Sequence, residues 1–152
     1  MQVATTRQRL VVTIQESEDV SRAAELMHEK HVGYLVVVEL DPLPRPVGVV
    51  TDRDIVASVV ARGVDPRAVR VADIMTFNPV MARESDSMEV VLHKMRSFGV
   101  RRLPVVNSRR ELVGILAIDD VLRAIADDAQ DVVNVIAHER QVEGAARSVV
   151  ER

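Results

Sequence analysis

A chain of 152 residues has room for one compact domain or two small repeats, not for several independent domains. With 47% apolar and 28% charged residues it reads as a folding chain, and the absence of Cys removes disulfides, thiolate metal sites and cysteine nucleophiles. A formal charge of -3 and a sole tyrosine and two phenylalanines (Tyr34, Phe77, Phe98) supply neither the basic excess nor the stacking surfaces expected of a DNA- or RNA-binding protein.

In chain order, a short strand is expected at Leu10 to Ile14. Apolar residues at Val20, Ala23, Ala24 and Met27 then mark one face of a helix that follows the capping-type residues Ser17 and Asp19. Val-rich strands follow at Tyr34 to Val38 and Val47 to Val50, separated by the proline-rich turn Asp41 to Pro46. After Asp54 the pattern is helical again, from Ile55 to Val60. Gly63, Asp65 and Pro66 lead into Val71-Ala72-Asp73-Ile74-Met75-Thr76, the connector.

The same order then recurs. A strand at Pro79 to Ala82 precedes a helix with Met88, Val91, Leu92 and Met95 on one face, after Ser85 and Ser87. Strands follow at Leu103 to Val106 and Val113 to Leu116, and a helix from Val121 to Ala126. Leu35 falls on Leu103, Gly48 on Gly114 and Asp54 on Asp120, the proline-rich turn absorbing the change of register. The expected fold is α/β (α+β): two repeats, each strand-helix-strand-strand-helix, packed sheet to sheet with pseudo-two-fold symmetry and one shared core, plus a C-terminal helix weakened by Gly144. The expected boundaries are an N-terminal segment 1–9, repeat one 10–62, a linker 63–71, repeat two 72–126 and a helical tail 127–152.

The strings Gly48-Val49-Val50-Thr51-Asp52-Arg53-Asp54-Ile55 and Gly114-Ile115-Leu116-Ala117-Ile118-Asp119-Asp120-Val121 resemble the cystathionine-beta-synthase (CBS) domain. So do Ala72-Asp73-Ile74-Met75-Thr76 and Gly99-Val100-Arg101-Arg102-Leu103-Pro104-Val105-Val106, and together these segments cover about residues 10 to 126. Two such units in tandem resemble a Bateman module. The resemblance implies a non-enzymatic regulatory module that binds an adenosine-containing ligand (AMP, ADP, ATP or NAD(H)) in clefts between the repeats, forms a homodimer and signals to a separate effector protein.

On that reading Asp54 accepts hydrogen bonds from ribose hydroxyls. Thr51, Arg53 and backbone N–H groups at the helix start suit a phosphate. Arg101 and Arg102 stand where the family places phosphate-reaching basic residues, and their guanidinium forks match phosphate oxygens. Adenine would lie against Val11, Val12, Pro79 and Val80. In repeat two Ala117 replaces Thr51 and Asp119 replaces Arg53 while Asp120 keeps the ribose-type acceptor, so unequal sites are expected. The plain alternatives are that Asp54 only caps a helix, that the arginines are solvated, that the valines are core, and that the whole chain is a structural dimerisation module.

No catalytic or metal-binding residues are assigned. His28 and His31 lack the spacing of a zinc-protease helix, and neither a Walker loop nor a Ser-His-Asp order is present. Runs such as Leu35-Val36-Val37-Val38 are far shorter than the ~20 residues of a membrane helix, and the N-terminus shows no signal pattern, so a cytoplasmic protein without membrane contact is expected.

Overall fold

The computed structural model describes residues 3–8 and 10–150, with the side chains of Thr5 and of 143–150 left aside. Met1, Gln2 and Arg9 of the expected N-terminal segment, and Glu151 and Arg152 of the tail, lie outside the described residues. The chain divides into two compact units, Met1–Ala117 and Ile118–Arg152.

The first unit opens with a turn of helix, α1 (Val3–Thr6), and strand β1 (Thr13–Ile14). Helix α2 (Val20–Lys30) follows, capped by Asp19, whose carboxylate accepts the Arg22 N–H at 2.9 Å. It ends at His31, held in the left-handed region. Strands β2 (Tyr34–Leu40) and β3 (Pro44–Thr51) form a hairpin that runs further into the proline-rich turn than the Val-rich runs alone imply. The helical turn α3 (Asp52–Ile55) then widens into a π-helix at Val56–Val60, where the Ala61 N–H reaches back to the Val56 carbonyl. Through a 3₁₀ turn at Pro66–Ala68 and α4 (Val71–Ile74) the chain reaches β4 (Thr76–Phe77). The second repeat supplies β5 (Ala82–Arg83), α5 (Met88–Phe98), β6 (Arg102–Val106) and β7 (Leu112–Ala117). Ser87 caps α5 through the Val90 N–H, and Gly99 ends it with a positive φ.

The opening strand of each repeat is shorter than expected. Only Thr13–Ile14 and Ala82–Arg83 pair, both parallel to the next strand, while Leu10, Val11 and Pro79 to Met81 precede the paired residues and Val12 joins the ladder only through its carbonyl. The repeat carries through to packing. Val20, Ala23, Met27, Leu35, Val37 and Val50 are buried, and so are their counterparts Met88, Val91, Met95, Leu103, Val105 and Leu116. Ala24, expected on the buried face of α2, is exposed, and Leu26 packs against the core beside it. Burying one such Val or Leu contributes ~1.5–3 kcal/mol. The buried members of the core cluster around α2 come from the first repeat and Val71, and Val69, Ile74 and Met75 of the connector pack against it.

What joins the repeats is an exchange of backbone. Strand β4, which precedes repeat two, adds antiparallel to β3 of repeat one, with Thr76 opposite Val49 and Phe77 opposite Gly48. Symmetrically, Gln8, which precedes repeat one, bridges Ile115 of β7 through hydrogen bonds of 2.8 and 2.9 Å. Arg7 reinforces it, donating to the Val113 carbonyl at 3.1 Å and approaching Glu84 at 3.5 Å. The sheets, ordered β1-β2-β3-β4 and β5-β6-β7, approach each other along β3 and β7. Gly48 and Gly114 lie under the crossing segments. A Cβ on Gly114 would come within 2.6 Å of the Gln8 carbonyl oxygen, whereas on Gly48 it would meet the Met75 sulfur at 2.6 Å and the Thr76 carbonyl only at 3.1 Å.

The second unit is one helix, α6 (Ile118–Val150), of 33 residues. The expected break between a helix ending at Ala126 and a separate tail is absent. No Pro interrupts the stretch, the Asp127-Asp128 pair is exposed on the helix, and a lone Gly144 costs only about 1 kcal/mol. No helix among the described residues is long and apolar enough to cross a membrane.

The two glycines differ in what gives way. A thioether can swing aside, but a backbone carbonyl held in a bridge cannot. Gly114→Ala is expected to destabilise the fold by about 2 kcal/mol and Gly48→Ala by less than half of that, measured by urea denaturation.

Candidate functional site

Between the repeats lies a cleft of about 710 Å³, within the ordinary range of small-molecule sites. One wall is the end of β3 and the turn after it, with Val49, Thr51, Asp52, Arg53 and Asp54, together with Gly33 and Tyr34. The other is formed by Thr76, Asn78, Pro79 and Val80 and by the α5–β6 corner, Phe98 to Arg102. Seven residues expected from sequence, Thr51, Arg53, Asp54, Pro79, Val80, Arg101 and Arg102, thus converge on one hollow. The exchanged strand makes this possible, because β4 delivers Asn78 to Val80 directly alongside β3, the Asn78 N–H donating to the Val47 carbonyl at 3.1 Å.

Asp54 caps and faces the cleft at once. Its Oδ2 accepts the Thr51 N–H at 2.9 Å while the Thr51 hydroxyl accepts the Asp54 N–H at 3.2 Å, a reciprocal capping box. Among the described residues its Oδ1 makes no hydrogen bond, which leaves that oxygen as an acceptor on a half-buried, cleft-lining carboxylate. The expectation that backbone N–H groups of this turn hold a phosphate is not met. The Asp52 N–H donates to the Gly33 carbonyl at 3.1 Å, the Arg53 N–H to Asp52 Oδ1 at 2.8 Å, and the Asp54 N–H to Thr51. With these donors engaged, side chains must supply the cationic contacts, and Arg53, Arg101 and Arg102 are all exposed along the lining.

Val11 and Val12 do not line this cleft, and neither does Asp120, expected at the separate repeat-two site. Val12 packs against the core of repeat one and its carbonyl accepts the Val36 N–H at 3.2 Å, the plain core role; Val11 beside it is half-buried and outside the lining. Asp120 lies in the first turn of α6, 3.9 Å from the Arg123 guanidinium. Conversely, Tyr34, Asp52, Asn78 and Phe98 line the cleft without belonging to any expected contact set. Gly33 makes room for Asp52: a Cβ there would sit 2.5 Å from Asp52 Oδ2.

Burial pushes the Tyr34 phenol well above its ordinary range, and the Arg102 charge only partly opposes this. The protonated form is therefore favoured by folding. Stability is unaffected below the unfolded value of about 10 and falls as pH rises beyond it. Since Tyr34 is the sole tyrosine and there is no tryptophan, ultraviolet titration should show ionisation delayed past that value and coincident with loss of the far-ultraviolet signal. Ionisation near 10 in the folded chain would contradict the burial.

The family model described as "CBS domain" matches residues 8–61 and 71–127. The uncharacterised protein MK0525 of Methanopyrus kandleri is 37% identical over 117 residues, or 76% of this chain; the match spans 58% of that relative's length. The CBS domain protein PAE2072 of Pyrobaculum aerophilum, solved in complex with AMP, is 30% identical with a TM-score of 0.71, covering 79% of this chain and 89% of that one. The CBS domain pair of protein MJ0100, solved with 5-methylthioadenosine and S-adenosyl-L-methionine, is 25% identical with a TM-score of 0.70, covering 82% of this chain and 99% of that one. Two family matches placed on two structural repeats that exchange strands make this chain a member of the CBS domain family, built as a tandem pair.

Proposed function

We propose that the inter-repeat cleft binds an adenine nucleotide and that the chain is a non-enzymatic, cytoplasmic sensor acting on a separate effector protein. Asp54 Oδ1 accepts from the ribose hydroxyls, the Thr51 hydroxyl and Arg53 meet the first phosphate, and Arg101 and Arg102 hold the phosphate tail. Pro79 and Val80 lie against adenine, with Tyr34 and Phe98 offering further aromatic surface. The observation that carries this reading is the convergence of acceptor, hydroxyl and guanidinium groups from both repeats on one cleft. The AMP held by PAE2072 and the adenosine compounds held by MJ0100 support the same ligand class. Val11, Val12 and Asp120 lie outside the lining of this cleft. A ligand that spans both repeats shifts their relative arrangement by as much as its affinities for the two arrangements differ.

A ligand bound only by the native state raises the melting temperature with concentration, by the equivalent of about 2.7 kcal/mol at a hundredfold excess over Kd. AMP, ADP, ATP, NAD(H) and S-adenosylmethionine are the compounds to compare, by calorimetry and thermal shift. Asp54→Ala should abolish the response, with some loss of stability from the broken cap. Asp54→Asn keeps an acceptor for the Thr51 N–H, so it should leave the unliganded protein nearly as stable while weakening binding. No response to any of the five at millimolar concentration would remove the sensor reading in favour of a structural module.

Self-association has its own support. Helix α6 exposes Leu122, Ile125, Val132 and Ile136, spaced by three, seven and four residues, with Ala129 completing the seam. We infer that the chain pairs with a second copy. Light scattering on the eluted protein should then give twice the chain mass; a monomeric or higher mass would refute a dimer.

A further inference from the structure

A second hollow, of about 270 Å³, lies at the hairpin-tip end of β3 and shares Asn78 with the cleft. It is lined by Arg45, Phe77, Met81 and Arg110, with Glu39 as its one acidic group. Met81 and Arg110 also line an adjoining groove of about 680 Å³ that adds Arg83 and the polar Ser85, Asn107 and Ser108. Arg45, Arg83 and Arg110 make no ion pair among the described residues. The other charges of the groove are matched: Lys94 sits 2.7 Å from Asp86, and Glu84 faces Arg7. On a chain of net charge -3, this face is locally cationic.

Among the described residues, two of the three non-glycine positions with positive φ sit here, Asn78 at 55° and Arg110 at 63°. Asn tolerates this region, but Arg does so at a cost. Arg110 occupies the last position of the turn closed by its own N–H on the Asn107 carbonyl, a place that glycine would fill without strain. Strain retained at a side chain that lines two joined hollows is characteristic of a binding position.

We propose that these joined hollows are the docking surface for an acidic segment of a partner protein. Its carboxylates would meet the guanidinium forks of Arg45 and Arg110, and its apolar residues would cover Phe77, which is 69% exposed, and Met81. The exposed ring and the joined volumes of about 270 and 680 Å³ favour a peptide over a small anion, which would leave Phe77 bare. The proposal does not depend on which nucleotide occupies the cleft, or on any doing so.

The probe is a fluorescein-labelled peptide alternating Glu with Leu, compared with its Gln-for-Glu counterpart by fluorescence polarisation. The Glu peptide should bind more tightly, and lose affinity as salt rises. Arg45→Gln and Arg110→Gly should each weaken it by roughly tenfold. Arg110→Gly should at the same time melt at a higher temperature than the parent, since it relieves the backbone. This pairing of lost binding with gained stability is one that a merely structural arginine would not produce. Equal binding of the two peptides, or undiminished affinity in both variants, would overturn the proposal. So would full displacement by inorganic phosphate at a concentration matched to the peptide carboxylates, which would make the hollow a small-anion site.

Discussion

The cleft exists because each repeat lends a short piece of backbone to the sheet of the other. Thr76 and Phe77 pair with β3, and Gln8 bridges β7. These few hydrogen bonds set the distance and register between the two halves, and everything that faces the cleft inherits that register. Without the pairing of β4 to β3, Asn78 to Val80 would not share a cleft lining with Thr51 and Asp54. Gly48 and Gly114 are the sequence cost of the arrangement, since a crossing strand leaves no space for a side chain beneath it. Hence a glycine position shared by both repeats has a packing cause and a functional consequence together.

Local structure and binding chemistry are not alternatives at Asp54. The capping box holds the carboxylate in one orientation through Oδ2 and so presents Oδ1 to the cleft. Such preorganisation lowers the entropy lost when a ligand binds. The same box engages backbone donors of the turn that a phosphate would otherwise use. The positive charge therefore comes from arginines on both walls, Arg53 on one and Arg101 and Arg102 on the other. A ligand that bridges Asp54 and the arginines of both walls touches both repeats, and this is the physical requirement for a module whose two halves respond to occupancy.

The cleft is also mixed in sign. Asp52, seated over Gly33, lies beside Arg53, and Tyr34 is kept protonated by burial. The surface at the hairpin tips differs in kind, with arginines around an exposed ring and little counter-charge. Asn78 belongs to both linings, which puts the two surfaces within one residue of each other along the chain.

Much of this was written in the sequence because it depends on local periodicity and on repetition. Helical spacing fixed α2 and α5 with their caps, Val-rich runs marked the hairpins, aligned copies singled out Asp54, and the resemblance to CBS domains pointed to Thr51 and Arg101. What depends on contacts between distant residues was not legible. Nothing local distinguishes Tyr34, Asp52 or Phe98 as cleft residues, or shows that Val12 belongs to the core and Pro79 to the site. The extent of α6 also escaped, because a charged pair such as Asp127-Asp128 reads equally as a helix face or a break. Side-chain pattern determines which elements form and which face is apolar. Only the tertiary structure, through the exchange of strands between repeats, decided which residues from the two copies meet, since that exchange is made by backbone groups that every residue carries alike.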